Sequence, residues 1–286
     1  SLSIRWALLA SQAIGRSKSF NLLRSEDVIN TLNCLRKLGI KIRLSSKFCE
    51  ITGNGLNGFR YKKNINLDAG NSGTLGRLIM GLLVHSKEKI KIIGDKSLSK
   101  RDFSRVSKPL KLFGANFKTN LGKLPITISG TNYPVPIKYF EKKGSAQCKS
   151  SIMLAALNTR GETHIKAKKS RDHTEILFKY LNLPIKILKK KNYDLIKIRG
   201  KKNFKPLNYR IPSDISSSAF FIVLAALSKK SKIKIRNVNT NPSRLGVIKI
   251  LKKMGVKILI KNLRIYKGEK IANIHVTSKE NLKPID

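Results

Sequence analysis

The sequence predicts a mixed α/β protein built from repeats, with one complete domain of three units and part of a second. Three observations predict this. First, one pattern occurs four times at intervals of about 70 residues: an amphipathic helix, a turn, then a short strand. The copies are TLNCLRKLGIKI, VSKPLKLFGANF, TEILFKYLNLPI and VIKILKKMGVKI, with turns at Gly39, Gly114, Asn182 and Gly255. Gly and Asn tolerate the left-handed conformation that ends a helix, so these residue types fit that place. Second, each copy follows a more apolar helix: SIRWALLASQAIG, GTLGRLIMGLLVH, CKSSIMLAALNTRG or SSSAFFIVLAALSKK. Apolar residues occupy most of the circumference of these helices, so all four are expected to be buried. Third, short alternating segments such as KIKIIGD, PITISG, DLIKIRG, KIKIRNV and VKILIKN read as strands between them.

A unit with one buried helix needs neighbours to cover it. Three such units around an axis would enclose three inner helices and leave three sheets outside. Units one to three then form a domain near residues 1–207, and unit four, near 208–286, begins a second. The first residues, SLSIRWALLASQAIG, are amphipathic and free of acid, as a transit peptide would be. Their fit to the repeat argues against that reading. The chain starts abruptly and stops at NLKPID, so it is expected to be a fragment of a longer protein.

Composition narrows the function classes. The 286 residues carry 60 Lys and Arg against 16 Asp and Glu, a formal net charge of +44. Hydrophobic residues make up 41%, enough for a packed core, which excludes a disordered chain. The longest apolar run, Ala219 to Leu227, falls well short of the ~20 residues of a membrane span. Cys34, Cys49 and Cys148 are scattered without ligand spacing, which points to a reducing, cytoplasmic setting and no structural metal. The charge suggests an anionic partner, or lysine excess solvated over the surface. The second reading is preferred, because the lysines spread along the whole chain and the few aromatics are not interleaved with them. Nucleic acid is therefore not expected as a partner.

Small polar residues open each apolar helix: Ser1 and Ser3 with Arg5; Asn71, Ser72, Gly73 and Thr74; Ser145 and Gln147; Asp214 with Ser216 to Ser218. Helix N-termini present unpaired N–H groups and a partial positive charge, and small residues let an anion approach. Ordinary capping explains any single cluster. Recurrence in every unit points further, to several helix starts converging on one anion site. Arg5, Arg77, Arg101, Arg105 and Arg171 lie near these openings and suit carboxylate or phosphate. Arg77 and Arg105 are expected to form structural ion pairs with Asp68 or Asp95, and Arg101, in a polar loop, to be the better ligand. In SRDHTE, Asp172 and Glu175 have capping-box spacing, and His173 is expected to be a packed or hydrogen-bonded loop residue. Cys148 is expected to be a buried thiol. GNSGTLGRL has no lysine where a P-loop requires one.

Taken in order, SLSIR, SEDVINTL, LDAGNSGTLGRL, GDKSLSKRDFSRVSKPL, GSAQCKSSIMLAAL, SRDHTE, PSDISSSAFFIVLAAL and NPSRLGVIKILKKMG resemble the 5-enolpyruvylshikimate-3-phosphate synthase family over essentially the whole chain. The resemblance implies βαβαββ units in pseudo-threefold domains and a cofactor-free transfer of enolpyruvyl from phosphoenolpyruvate to the 5-hydroxyl of shikimate 3-phosphate. It implies small anionic substrates, no metal, a cytoplasmic setting, and a monomer at full length. It assigns shikimate 3-phosphate to Ser1, Arg5, Ser145, Ala146 (through its backbone), Gln147, Ser170 and Arg171. It assigns phosphoenolpyruvate to Asn71, Gly73, Arg101 and Gln147. The family's catalytic Asp and Lys have no counterpart within the chain, and Asp214 matches an earlier helix opening. This chain alone is accordingly expected to be inactive. Departures are Ile4 before Arg5, and Asp102-Phe103 after Arg101. The sister transferase acting on a nucleotide sugar uses a cysteine in a mobile loop, whereas the GSAQ and SRDHTE stretches favour the shikimate enzyme.

Overall fold

The computed structural model describes residues 2–279 and 282–284. The chain divides into two compact units: one of residues 3–170 and 181–210, and one of Leu2, residues 171–180 and the chain from Ile211 onward.

The first unit contains three copies of one motif. The first copy runs α1 (Leu2–Gln12), β1 (Ile14–Phe20), α2 (Glu26–Lys37), β2 (Lys41–Leu44) and β3 (Phe48–Asn54). The second runs β4 (Ile65–Asp68), α3 (Gly73–Leu82), β5 (Ile90–Ile93), the single turn α4 (Lys96–Ser99), α5 (Ser104–Lys111), β6 (Asn116–Asn120) and β7 (Lys123–Ser129). The third runs β8 (Lys138–Glu141), α6 (Ala146–Leu157), β9 (Glu162–Lys168), α7 (His173–Tyr180), which groups with the second unit, β10 (Ile185–Lys189) and β11 (Tyr193–Arg199). The second and third copies each start with an edge strand, β4 or β8, that pairs parallel with the next strand. The first copy receives its edge strand from far along the chain. β12 (Tyr209–Arg210) pairs parallel with β1, giving sheet order β12-β1-β3-β2 beside β4-β5-β7-β6 and β8-β9-β11-β10.

The predicted turns hold. Gly39, Gly114, Asn182 and Gly255 all have positive φ, at 81°, 102°, 51° and 92°. Each ends a striped helix and reverses the chain into the next strand. Helices α1, α3 and α6 are buried along almost their whole length, as their all-round apolar character requires. Trp6 of α1 is fully buried, and its indole Nε1 donates to the Leu207 carbonyl at 2.8 Å, so the polar tip of this large side chain is satisfied.

Glycines set how closely the helices approach. A Cβ on Gly81 of α3 would collide with the Ser151 carbonyl of α6. One glycine also recurs at the end of the last strand of each copy. A Cβ on Gly53, Gly130 or Gly200 would strike the backbone at the end of that copy's inner helix, at Ala10 and Ala13, Ser86, or Ala156 and Thr159. The three contacts are equivalent.

The second unit repeats the scheme once. α8 (Ile215–Leu227), β13 (Lys232–Asn239), α9 (Gly246–Lys253), β14 (Lys257–Tyr266) and β15 (Glu269–Thr277) form a sheet of order β13-β15-β14. A single parallel bridge from Ser213 to Val238 stands where the other sheets have their edge strand. Ile215, Ile222, Val238, Ile248, Ile258 and Ile274 anchor its core. α8 departs from the expectation of full burial. Phe220, Phe221, Leu224 and Leu227 are exposed, because within this unit the helix has a sheet on one side and no inner helix to cover the other. Segment 171–180 joins this unit through buried polar bonds. His173 Nδ1 lies 2.7 Å from Glu269 Oε1, the other Glu269 oxygen accepts from Asn239 at 2.9 Å, and Asn241 donates to Asp172 at 2.8 Å.

His85, after α3, has a pKa lowered from 6.5 to about 4, through burial and then the nearby Lys201 charge, against a hydrogen bond that the ring donates to the Asn158 backbone carbonyl. Its Nε2 is buried without a partner. The folded state keeps this ring neutral, while the unfolded chain takes a proton below its ordinary pKa. Stability from this group is therefore full above about pH 6.5 and lost as pH falls toward 4. Urea denaturation against pH should show that acid loss, and His85→Gln should flatten it.

Candidate anion-binding site

Two inner-helix starts carry most of the site. Ser72 caps α3 by accepting from Leu75 N, and Ser145 caps α6 by accepting from Cys148 N, both at 3.2 Å. The loop before α6 is held by Glu141, whose two oxygens accept from Lys143 N at 3.1 Å and Ser145 N at 2.8 Å. The Ser145 hydroxyl thus has its acceptor role occupied by the cap, while its proton can still be donated.

Gln147 lies in the first turn of α6. Its Oε1 accepts from Arg77 Nη1 at 2.9 Å, and its Nε2 donates to Thr74 Oγ1 at 3.2 Å. These two bonds fix which end of the amide points where. Arg77 also donates to the Asp102 carbonyl at 3.0 Å and lies over the Phe103 ring, 4.7 Å from its centroid. Burial, reinforced by Arg105 and Arg101 and opposed by Asp102, lowers the Arg77 pKa from 12.5 to about 10. It stays charged at neutral pH. The expected ion pair of Arg77 or Arg105 with Asp68 or Asp95 does not form among the described residues. Asp68 instead accepts from Gly70 N, and Asp95 accepts from Leu98 N and Asn71. Sequence proximity misled here, because both carboxylates are taken by local backbone and amide donors.

Asn71 bridges the next part. Its Nδ2 donates to Asp95 Oδ2 at 2.6 Å, and its Oδ1 accepts from Arg101 Nη2 at 2.8 Å. The backbone N–H of Leu98 and then Asn71 hold the Asp95 carboxyl below its usual pKa. Arg101 and Arg77 converge on Gly73. A Cβ there would lie 2.8 Å from Arg77 Nη1 and 3.4 Å from Arg101 Nη1. Glycine keeps the space in front of α3 open between two guanidinium groups.

Arg5 of α1 joins α6 one turn further along, its Nη2 donating to Ser150 Oγ at 3.2 Å. Asn71, Gly73, Arg101 and Gln147 therefore form one bonded cluster, with Ser145 and Ala146 at the α6 start and Arg5 beside the same helix. Ser170 has no hydrogen bond to this cluster, and its buried Oγ has no partner. Arg171 belongs to the second unit, where desolvation and Arg244 lower its pKa and Asp214 opposes them. Ser1 lies outside the described residues. Sequence reasoning missed the roles of Thr74, Arg77 and Ser150. Arg77 stands four residues after Gly73, on the same helix face, which was a usable signal. Its pairing with Gln147 depends on the packing of α3 against α6 and was not. Cys148 is buried as expected, its Sγ 3.0 Å from the Arg105 carbonyl, and burial then Glu141 raise its pKa to about 12, with Arg105 opposing.

The donors outnumber the acids, and the nearby carboxylates Asp95, Asp102 and Glu141 already accept from backbone or amide donors. Such an arrangement suits carboxylate or phosphate. No group of His, Cys, Asp and Glu among the described residues could hold a metal ion, and no described helix is long and apolar enough to cross a membrane.

Known proteins agree with this architecture. A 3-phosphoshikimate 1-carboxyvinyltransferase from Ruthia magnifica is 42% identical over 286 residues, covering 100% of this chain and 64% of that protein. The protein of the same name from Zymomonas mobilis is 38% identical over 289 residues, covering 100% and 63%. The structure of EPSP synthase from Acinetobacter baumannii superposes with a TM-score of 0.85 at 36% identity, over 99% of this chain and 64% of that one. The chain thus spans somewhat under two thirds of the length of these relatives. The family model for EPSP synthase (3-phosphoshikimate 1-carboxyvinyltransferase) matches residues 1–286, and the chain belongs to that family.

Proposed function

We propose that this chain is the substrate-holding part of an enzyme that transfers enolpyruvyl from phosphoenolpyruvate to the 5-hydroxyl of shikimate 3-phosphate. In that reaction the hydroxyl oxygen bonds to C2 of phosphoenolpyruvate while C3 gains a proton. Loss of phosphate and of a C3 proton then restores the double bond. The observation that supports this reading best is the cluster at Gly73. Two guanidinium groups, a helix start and an oriented glutamine amide surround a position kept free of side chain.

In this reading Gly73, Arg101 and Asn71 hold phosphoenolpyruvate. Ser1, Arg5, Ser145, the Ala146 backbone, Gln147, Ser170 and Arg171 are assigned to shikimate 3-phosphate. Gln147 faces both. The residues lower the barrier by holding two anions together and countering charge that develops as phosphate leaves. Proton transfer is assigned to no residue of this chain. Residues 1–207 are the substrate-binding domain in this proposal, 208–286 belong to a second, and the setting is cytoplasmic.

Calorimetric titration of shikimate 3-phosphate into the chain tests the proposal. Weak binding, near the millimolar range, is expected from part of a site. Gln147→Ala should abolish that signal, with circular dichroism confirming that the variant is folded at the titration temperature. Sub-micromolar binding, or binding indifferent to Gln147, would contradict the assignment.

A further inference from the structure

The outer face of the third sheet carries features that the anion site does not use. Strand register arranges its outward side chains in rows. Lys138, His164, Lys197 and Lys186 stand side by side across the four strands. In the next row, two residues along, stand Phe140, Lys166, Leu195 and Leu188. Lys168 and Tyr193 follow. Phe140 and Leu188 are exposed. Lys166 Nζ stands 4.8 Å from the Phe140 ring centroid and 4.5 Å from that of Tyr193. Between the first two rows lies a hollow of about 370 Å³.

Acid is scarce here. Glu162 lies at the rim, where it pairs with His164 at 2.6 Å. The other carboxylates of these strands, Glu141 and Asp194, are buried, and Asp194 is bonded to Lys169. The lysines are therefore not neutralised from within. In the first sheet Lys18 likewise lies over Phe48, at 4.2 Å, but Glu50 sits beside it and pairs with Arg16. Pairing of the strands sets Lys166 between the Phe140 and Tyr193 rings.

We propose that this face binds single-stranded nucleic acid. Its chemistry calls for a partner with both anionic and flat apolar groups, which phosphates and bases supply together. Phe140 and Leu195 line the hollow, and Lys166 stands over the rings of Phe140 and Tyr193. A membrane surface would instead need apolar groups that protrude. A broad four-stranded face also cannot enter a duplex groove, but it suits an extended strand.

The test is fluorescence anisotropy of a short labelled single-stranded RNA of mixed sequence with the 286-residue chain, at about 50 and 200 mM salt. Binding should weaken with salt. Replacing Lys138, Lys166 and Lys197 by Gln together should weaken it at least tenfold and reduce the salt slope by about 2. Phe140→Ala with Tyr193→Ala should weaken it roughly tenfold and leave the slope unchanged. Arg16, Lys41 and Arg43, changed to Gln on the first sheet, should alter affinity less than twofold. Circular dichroism melting confirms the fold of each variant. Absence of binding, equal loss from both lysine and arginine sets, or wild-type affinity without the two rings would overturn the proposal. Equal competition by phosphatidylserine vesicles, polyglutamate or duplex would overturn it as well.

Discussion

Gly81→Ala is expected to lower the unfolding free energy by about 3 kcal/mol, the upper end of what overpacking a core costs. The added Cβ would collide with a backbone carbonyl, that of Ser151, which cannot swing aside as a side-chain tip can. Relief therefore requires α3 and α6 to separate along their contact. That movement would also disturb two bonds that cross it, from Arg77 to Gln147 and from Ser151 Oγ to the Arg77 carbonyl. Gly246→Ala provides the contrast. It opens α9, nothing lies within 4 Å of its Cβ position, and its φ is not positive. Alanine there should leave stability unchanged or raise it by up to about 1 kcal/mol. Urea denaturation of both variants measures the difference. Equal midpoints would show that the helix approach is not limited by Gly81.

Glu269→Ala is expected to cost the second unit about 3 kcal/mol. Glu269 is fully buried and serves two partners, His173 and Asn239, which would both be left in the interior without it. Each buried polar group deprived of its bond costs about 1–3 kcal/mol. Glu269→Gln keeps the shape and one oxygen, so it should cost less than half as much. Hydrogen exchange gives the sharper readout. Amides of α7 should exchange faster in the alanine variant, because His173 opens that helix. Unchanged protection in α7 would show that contacts other than Glu269, among them the Asp172–Asn241 bond, hold the segment.

The parts legible in the sequence were those fixed by local chemistry. The four turn positions could be read because only a few residue types accept positive φ, and three glycines and an asparagine stood at one repeat interval. α1, α3 and α6 could be read because apolar residues surround them. The same signal overreached in α8, since it reports what a helix could bury, and Phe220 and Leu224 remain exposed in this unit. The site was half legible. Gly73, Gln147 and Arg101 stand at helix openings or in a polar loop, where residue type alone suggests a ligand. Arg77 was misread because its partner is 70 positions away, brought near by helix packing. β12 was invisible: two residues without alternation carry no strand signal. The interleaving of Lys166 with Phe140 and Tyr193 was hidden for the same reason, since it exists only across paired strands.

The late arrival of Tyr209 and Arg210 beside β1 has a consequence for synthesis. A nascent chain can build the second and third sheets from neighbouring segments as they emerge. The first must wait with its outer edge bare until Tyr209 and Arg210 have left the ribosome. An unprotected edge invites pairing with other molecules. Premature termination upstream of Tyr209 should therefore yield aggregates, whereas chains released past Arg210 have the strand that seals the first sheet.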